Sequence, residues 1–139
     1  MQRFLFMLLV AYAIGAAPAM AVGDADLQRL NRGEGCPGCD LSNANLRSMQ
    51  LQNQDLSGAN LTGANLNNAN LYKTNLSGAN LTNANLRNSN PSGANFTGAN
   101  LTGADFSRVH ELNIKGANFT NAILCKTKWI DGTTVYHCP

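Results

Sequence analysis

From Asp40 to Phe106 one five-residue phrase follows another without a gap. A large apolar residue falls at every fifth position: Leu41, Leu46, Leu51, Leu56, Leu61, Leu66, Leu71, Leu76, Leu81, Leu86, Phe96, Leu101 and Phe106. Pro91 alone interrupts the row. A period of five fits neither regular secondary structure. On a helix, at about 100° per residue, the leucines would spread around every face. On a flat strand, successive leucines would point to opposite sides. They can share one core only if the chain turns a corner every five residues.

Call each large residue a centre. Two residues before it stands a small one, as in Ala44, Ala59, Ala64, Ala69, Ala79, Ala84, Ala94, Ala99 and Ala104. Strand alternation sends both inward, and a narrow tube has room for only a small residue beside a leucine. Between them lies Asn in most repeats, pointing outward where it can bond nearby backbone. Two residues after the centre stands Gly or Asn (Gly58, Gly63, Asn68, Gly78, Asn83, Gly98, Gly103), the residues corners require.

The phrase SGANLTGANL at 57–66 returns as SGANLTNANL at 77–86 and TGANLTGADF at 97–106. An offset of twenty gives four sides per coil, with coils stacked about 4.8 Å apart. After Phe106 the register slips. Ile114, Phe119, Leu124 and Trp129 are again five apart, with Leu112, Ala117, Ala122 and Thr127 two before them as inward residues. ANFTGANL at 94–101 matches ANFTNAIL at 117–124 three residues late, which predicts a bulge at one corner within 107–111. The whole makes about four and a half coils.

The run resembles the pentapeptide-repeat family, whose consensus is a small residue, Asn or Asp, Leu, and two variable positions. The resemblance covers 39–130 and implies an all-β solenoid, a right-handed quadrilateral β-helix. The departures from its pattern are Pro91, the bulge, and two polar inward residues, Gln54 and Thr74. These two are twenty apart, so they are expected to stack and to bond each other or backbone carbonyls.

The flanks read differently. Met1–Gln2–Arg3, the apolar run Phe4 to Ala16, and Ala19 and Ala21 as small residues predict a signal peptide over 1–21, cleaved after Ala21. The run is too short to span a bilayer, so no stable membrane span is expected after cleavage. Residues 22–38 form an N-terminal cap, with a short helix from Asp24 through Leu27 and Leu30 to about Arg32, ended by Gly33. Residues 131–139 form a C-terminal capping tail, opened by an Asp131–Gly132 turn. Trp129, Ile130, Val135 and Tyr136 are expected to fold over the last coil.

Four cysteines, Cys36, Cys39, Cys125 and Cys138, follow the export segment, and an even count in an exported chain reads as disulfides. The first two start the tube and the last two bracket the tail, more than four coil rises apart, about 20 Å. Disulfide Cα atoms lie within about 7 Å, so the tube leaves Cys36–Cys39 and Cys125–Cys138. The same separation excludes one zinc held by all four. Cys-x-x-Cys is also a redox spacing, but no βαβ pattern surrounds it.

No nucleophile–base constellation and no phosphate-cradling loop stand out, so no enzyme and no cofactor are expected. The formal charge of +2 argues against nucleic acid. At offset twenty the residues following the centres form four rows: Ser42, Thr62, Thr82, Thr102; Arg47, Asn67, Arg87, Ser107; Gln52, Tyr72, Ser92, Lys115; and Ser57, Ser77, Thr97, Thr120. Two rows are small hydroxyls. The candidate interaction surface is therefore Arg47, Tyr72, Arg87 and Arg108, together with His110 and Glu111 of the bulge.

The expected function is a rigid, exported scaffold or protein-interaction module. Its partner would be a protein of the periplasm or, in an oxygenic phototroph, of the thylakoid lumen. One alternative is binding of ice or another surface through the Thr62/Thr82/Thr102 row. The family resemblance suggests another, since some members bind DNA gyrase as acidic, duplex-like rods. Residues 40–129, however, carry four acids against seven bases.

Overall fold

The structure is a computed structural model that describes residues 24–136 and 138–139. The export segment expected over 1–21, and His137, lie outside these residues. No helix among the described residues is long and apolar enough to cross a membrane.

The chain winds as a solenoid whose turns are twenty residues long. Parallel bridges join Asp40 to Asn60, Asn60 to Asn80 and Asn80 to Asn100, with equivalent series from Asn45, Gln50 and Asp55. Each coil thus has four short sides. Side 1 carries the centres Leu41, Leu61, Leu81, Leu101 and Leu124. Side 2 carries Leu46, Leu66, Leu86, Phe106 and Trp129. Side 3 carries Leu51, Leu71, Pro91 and Ile114, and side 4 carries Leu56, Leu76, Phe96 and Phe119.

The hydrogen bonds explain why five residues suffice. A centre N–H donates forward to the next coil (Leu61 to Asn80 O, 2.7 Å), and the Asn N–H donates back (Asn80 to Ala59 O, 2.9 Å). A turn then closes from Ala64 N–H to Leu61 O at 3.0 Å, with Gly63 at φ 67°. That is a type II turn, whose third residue needs a positive φ, hence the recurring Gly and Asn. The outward Asn accepts from the amide two residues on, as Asn60 Oδ1 does from Thr62 at 3.2 Å. Inside, the leucine centres from Leu41 to Leu101 and the alanines from Ala59 to Ala104 are buried. Each buried leucine contributes about 1.5–3 kcal/mol. In the last two coils aromatics take over: Phe96 stacks on Phe119 with centroids 4.9 Å apart, and Phe106 meets Trp129 at 5.5 Å.

The bonding ladder begins at Cys36, whose N–H donates to Asp55 O at 2.7 Å, so Cys36 itself occupies a buried centre position. Helix α1 (Asp24–Asn31) lies against this end. Leu30 is buried and Leu27 packs on the core. The helix ends in a Schellman motif, with Glu34 N–H to Arg29 O, Gly33 N–H to Leu30 O, and Gly33 at φ 73°. At the other end β1 (Thr127–Lys128) pairs antiparallel with β2 (Thr134–Val135) across the Asp131–Gly132 turn. Trp129 and Ile130 pack on the core, but Tyr136 does not fold over it and is 77% exposed. Disulfides join Cys36 to Cys39 (Cα–Cα 5.4 Å) and Cys125 to Cys138 (4.5 Å), leaving no free cysteine among the described residues.

The insertion differs from the expected bulge at 107–111. The corner after Phe106 is regular, with Arg108 at φ 64°, and the inward residue is Val109, which is buried. The extra residues form a helical turn, α2 (Glu111–Ile114), capped by His110, whose Nδ1 accepts from the Leu112 N–H at 3.3 Å. Leu112 therefore does not point inward; it is 68% exposed. Pro91 stands opposite the insertion. A regular centre there would donate to Asn113 O, but proline has no N–H. Side 3 lacks that ladder bond, and Asn113 N–H, which in a regular coil would donate back to Ser89 O, donates to His110 O at 2.9 Å within α2.

Gln54 and Thr74 do not bond each other. Thr74 Oγ1 donates to Leu51 O at 2.7 Å, and Thr127 repeats the arrangement with Leu101 O at 2.8 Å. Gln54 Nε2 donates to Gln50 O at 3.3 Å, and its Oε1 is buried without a partner. Ser89 is a further inward hydroxyl, buried and unpartnered. An unsatisfied buried hydroxyl costs about 1–3 kcal/mol. Ser89→Ala, which restores the usual residue, should raise stability by about 1 kcal/mol in urea denaturation; a loss of that size would contradict the packing described here.

Candidate functional site

Side 3 is bounded by two corners. The corner shared with side 2 carries Arg47, Arg87 and Arg108; the corner shared with side 4 carries Tyr72, Lys73 and Lys115. Between them the outward residues are Gln50, Asn70 and Asn90, followed along the chain by His110 and Asn113 of the inserted stretch. Arg47 and Arg87 stand two coils apart, about 10 Å along the corner. The ladder thus brings Arg47, Tyr72, Arg87, Arg108, His110 and Glu111 to one side of the solenoid.

Their surroundings differ in detail. Tyr72 is 41% exposed, and Lys73 Nζ lies 5.1 Å from its ring centroid. Glu111 pairs with Lys115 at 3.0 Å, and the hydrogen bond and charge of Lys115 hold its carboxyl below the ordinary range. Helix α2 rests over the Lys115 corner, with Ser92 Oγ 3.4 Å from Asn113 Oδ1. On neighbouring side 2, burial pushes the Asp105 carboxyl up. Bonds from Ser107 and the charges of Lys128 (3.7 Å) and Arg87 outweigh it and leave the group lowered. His110 serves as the cap of α2, and no bond joins it to a hydroxyl or thiol.

Reading only the residue directly after each centre hid part of this surface. Lys73 occupies the second corner position, and Leu112 emerges from α2. Reading the second corner position at offset twenty would have found Lys73. Nothing in the local sequence marked Leu112 as outward, because it stood where an inward residue should.

Lys73 and Arg108 also carry positive φ, 53° and 64°. Most other such corners are Gly or Asn, and a non-glycine residue held there costs about 1–3 kcal/mol. Lys73→Asn and Arg108→Gly should each raise stability by about 1 kcal/mol, as urea midpoints would record. Lower midpoints would show that these side chains hold the fold rather than burden it.

Other regions offer less chemistry. Asp26, Cys36 and Cys39 place carboxylate and sulfur atoms within 4.8 Å of one another, but both sulfurs are tied in a disulfide rather than available as thiolates. A pocket at the C-terminal end is lined by Asn121, Ala122, Ile123, Leu124 and Pro139, none with a titratable side chain. The Thr62, Thr82 and Thr102 hydroxyls each donate to the Asn two residues earlier, at 2.6–2.7 Å.

No curated protein matches the chain. Among solved structures, HetL from Nostoc sp. strain PCC 7120, a protein involved in heterocyst differentiation regulation, is 34% identical. The match covers 71% of this chain but 40% of HetL, with a TM-score of 0.39. The protein alr5209 from the same Nostoc strain is 32% identical over 74% of this chain and 75% of its own, with a TM-score of 0.42. Full-length QnrB1, a plasmid-mediated fluoroquinolone resistance protein, is 26% identical over 70% of this chain and 58% of its own, with a TM-score of 0.47. The chain thus spans about half the length of HetL and QnrB1. The family described as Pentapeptide repeats matches in eight copies over 39–78 and 74–110, just over half the chain; this protein belongs to the pentapeptide-repeat family.

Proposed function

We propose that the chain is a non-enzymatic, exported rod that works by holding a protein partner against side 3. In this reading it is a right-handed four-sided β-helix, closed by α1 at one end and by the disulfide-tied tail at the other. The carrying observation is the gathering of Arg47, Tyr72, Arg87 and Arg108, with the exposed Leu112, on one side. Large exposed residues that combine an apolar body with charge or a polar tip are typical contact anchors. Two disulfides suit an oxidising compartment, periplasm or thylakoid lumen. The threonine row is less suited to ordering ice, because its hydroxyl donors are already engaged by asparagines. An acidic duplex mimic calls for the opposite charge on the contact side.

The test is affinity purification from the exported fraction of the native host. A partner recovered with the wild-type chain should be lost from a triple variant carrying Arg47→Ala, Tyr72→Ala and Arg87→Ala. Equal recovery by both, or no specific partner after cross-linking, would sink the proposal.

A further inference from the structure

The four sides differ in one respect that packing does not require. At the outward position before the centre, side 1 carries Asp40, side 2 Asp105 and side 4 Asp55, while side 3 carries only Gln50, Asn70, Asn90 and Asn113. Side 3 and its corners hold five cations (Arg47, Lys73, Arg87, Arg108 and Lys115) against one acid, Glu111. The remainder of residues 24–139 holds four cations and seven acids. A chain of almost balanced charge therefore gathers its positive charge on one side, while the other three sides hold three acids and two cations and the remaining acids lie in the cap and tail.

We infer that side 3 seats an acidic polypeptide segment of the partner, an inference that rests on the interaction reading above. The cations stand in two rows, one along each corner, and flank a floor of neutral amides. The floor amides are largely engaged with one another and with backbone (Asn70 Nδ2 to Gln50 Oε1 at 3.1 Å, Tyr72 N–H to Asn70 Oδ1 at 3.2 Å), so the floor sets no repelling charge beneath an extended chain whose carboxylates meet the corner cations. Arginines favour this role because the guanidinium pairs carboxylates in a fixed fork. The spacing suits a polypeptide better than a duplex. Duplex DNA presents a charge about every 1.7 Å, whereas Arg47 and Arg87 stand about 10 Å apart. One exposed apolar residue, Leu112, is a slender anchor for a lipid surface.

Binding of poly-L-glutamate to the purified, disulfide-bonded chain, followed by fluorescence anisotropy, tests this. The wild type should bind, and affinity should fall about tenfold or more between low and physiological salt. Arg47→Glu with Arg87→Glu should abolish binding while keeping the wild-type urea midpoint. Lys126→Glu with Lys128→Glu, which removes the same charge from outside side 3, should leave binding unchanged. No binding by the wild type, equal loss in both double variants, or tighter binding to phosphatidylglycerol vesicles or duplex DNA would overturn the inference. A native partner captured equally by wild type and Arg47→Glu/Arg87→Glu at high salt would remove the acidic segment and leave the interaction rod standing. Failure to capture any partner would remove the rod reading itself.

Discussion

Replacing Leu66 with Ala should lower stability by about 2–5 kcal/mol, a large share of what a domain of this size possesses. Leu66 is fully buried in the second coil, with Leu46 and Leu86 stacked on either side of it along side 2. The neighbours are held by ladder bonds in both directions, so they cannot collapse into the vacated space. The cavity therefore keeps most of its volume, and its cost adds to the lost burial. Leu124 supplies the contrast. It is a centre of the last coil, only partly buried, with no further coil beyond it. Leu124→Ala should cost less than about 2 kcal/mol. Urea denaturation of both variants checks this, and equal losses would contradict a core that is tightest in its middle.

Removing the Cys125–Cys138 disulfide should have the next largest effect. The bond closes a loop with a sequence separation of 13 and ties β2 to the last coil. Closing a loop of that size stabilises by about 3 kcal/mol, chiefly by restricting the unfolded chain. In a solenoid each coil contacts mainly its neighbours, so the damage should be graded along the axis. With Cys125→Ser and Cys138→Ser, amides of Trp129 and Gly132 should exchange rapidly. Those of Leu61 and Leu66, which donate to Asn80 and Asn85, should remain protected. Uniform loss of protection throughout the chain would show cooperativity longer in range than nearest-neighbour stacking.

The repeat was legible because every level of the fold demanded the same residue at the same place. A leucine marks the core, an alanine the narrow space beside it, and a Gly or Asn the positive-φ corner. The offset of twenty alone assigns the sides. The slip after Phe106 was legible as three extra residues but was misplaced, and the cause is physical. Leu112 satisfied the apolar pattern that belonged to Val109, while the missing N–H of Pro91 is felt only across coils, 22 residues on at Asn113. A residue whose effect lies in a bond its neighbour cannot make leaves no mark on its own segment. The capping role of His110 was not legible for the same reason, since it exists only once α2 has formed; the residue remains exposed on side 3. The unpartnered Ser89 stood in plain view as a departure from alanine, but its cost depends on the carbonyls within reach.

The candidate surface was legible in its first corner position and, of its second, only at Arg108. Arg47, Tyr72 and Arg87 follow directly from the row of residues after the centres. Lys73 required recognition that the left-handed corner residue also faces solvent, a position at which the repeat favours Gly or Asn. The absence of aspartate from the outward row of side 3 was present in the sequence too. It becomes informative only when the four rows are compared with one another.

The most direct test of side 3 as the working face is a photo-cross-linking scan around one level of the rod. A photoreactive residue placed singly at Tyr72, Ser77, Thr82 or Arg87 samples all four corners in the native compartment. A cross-linked partner band from positions 72 and 87 alone is the predicted result; equal bands from all four positions, or bands confined to 77 and 82, would contradict it.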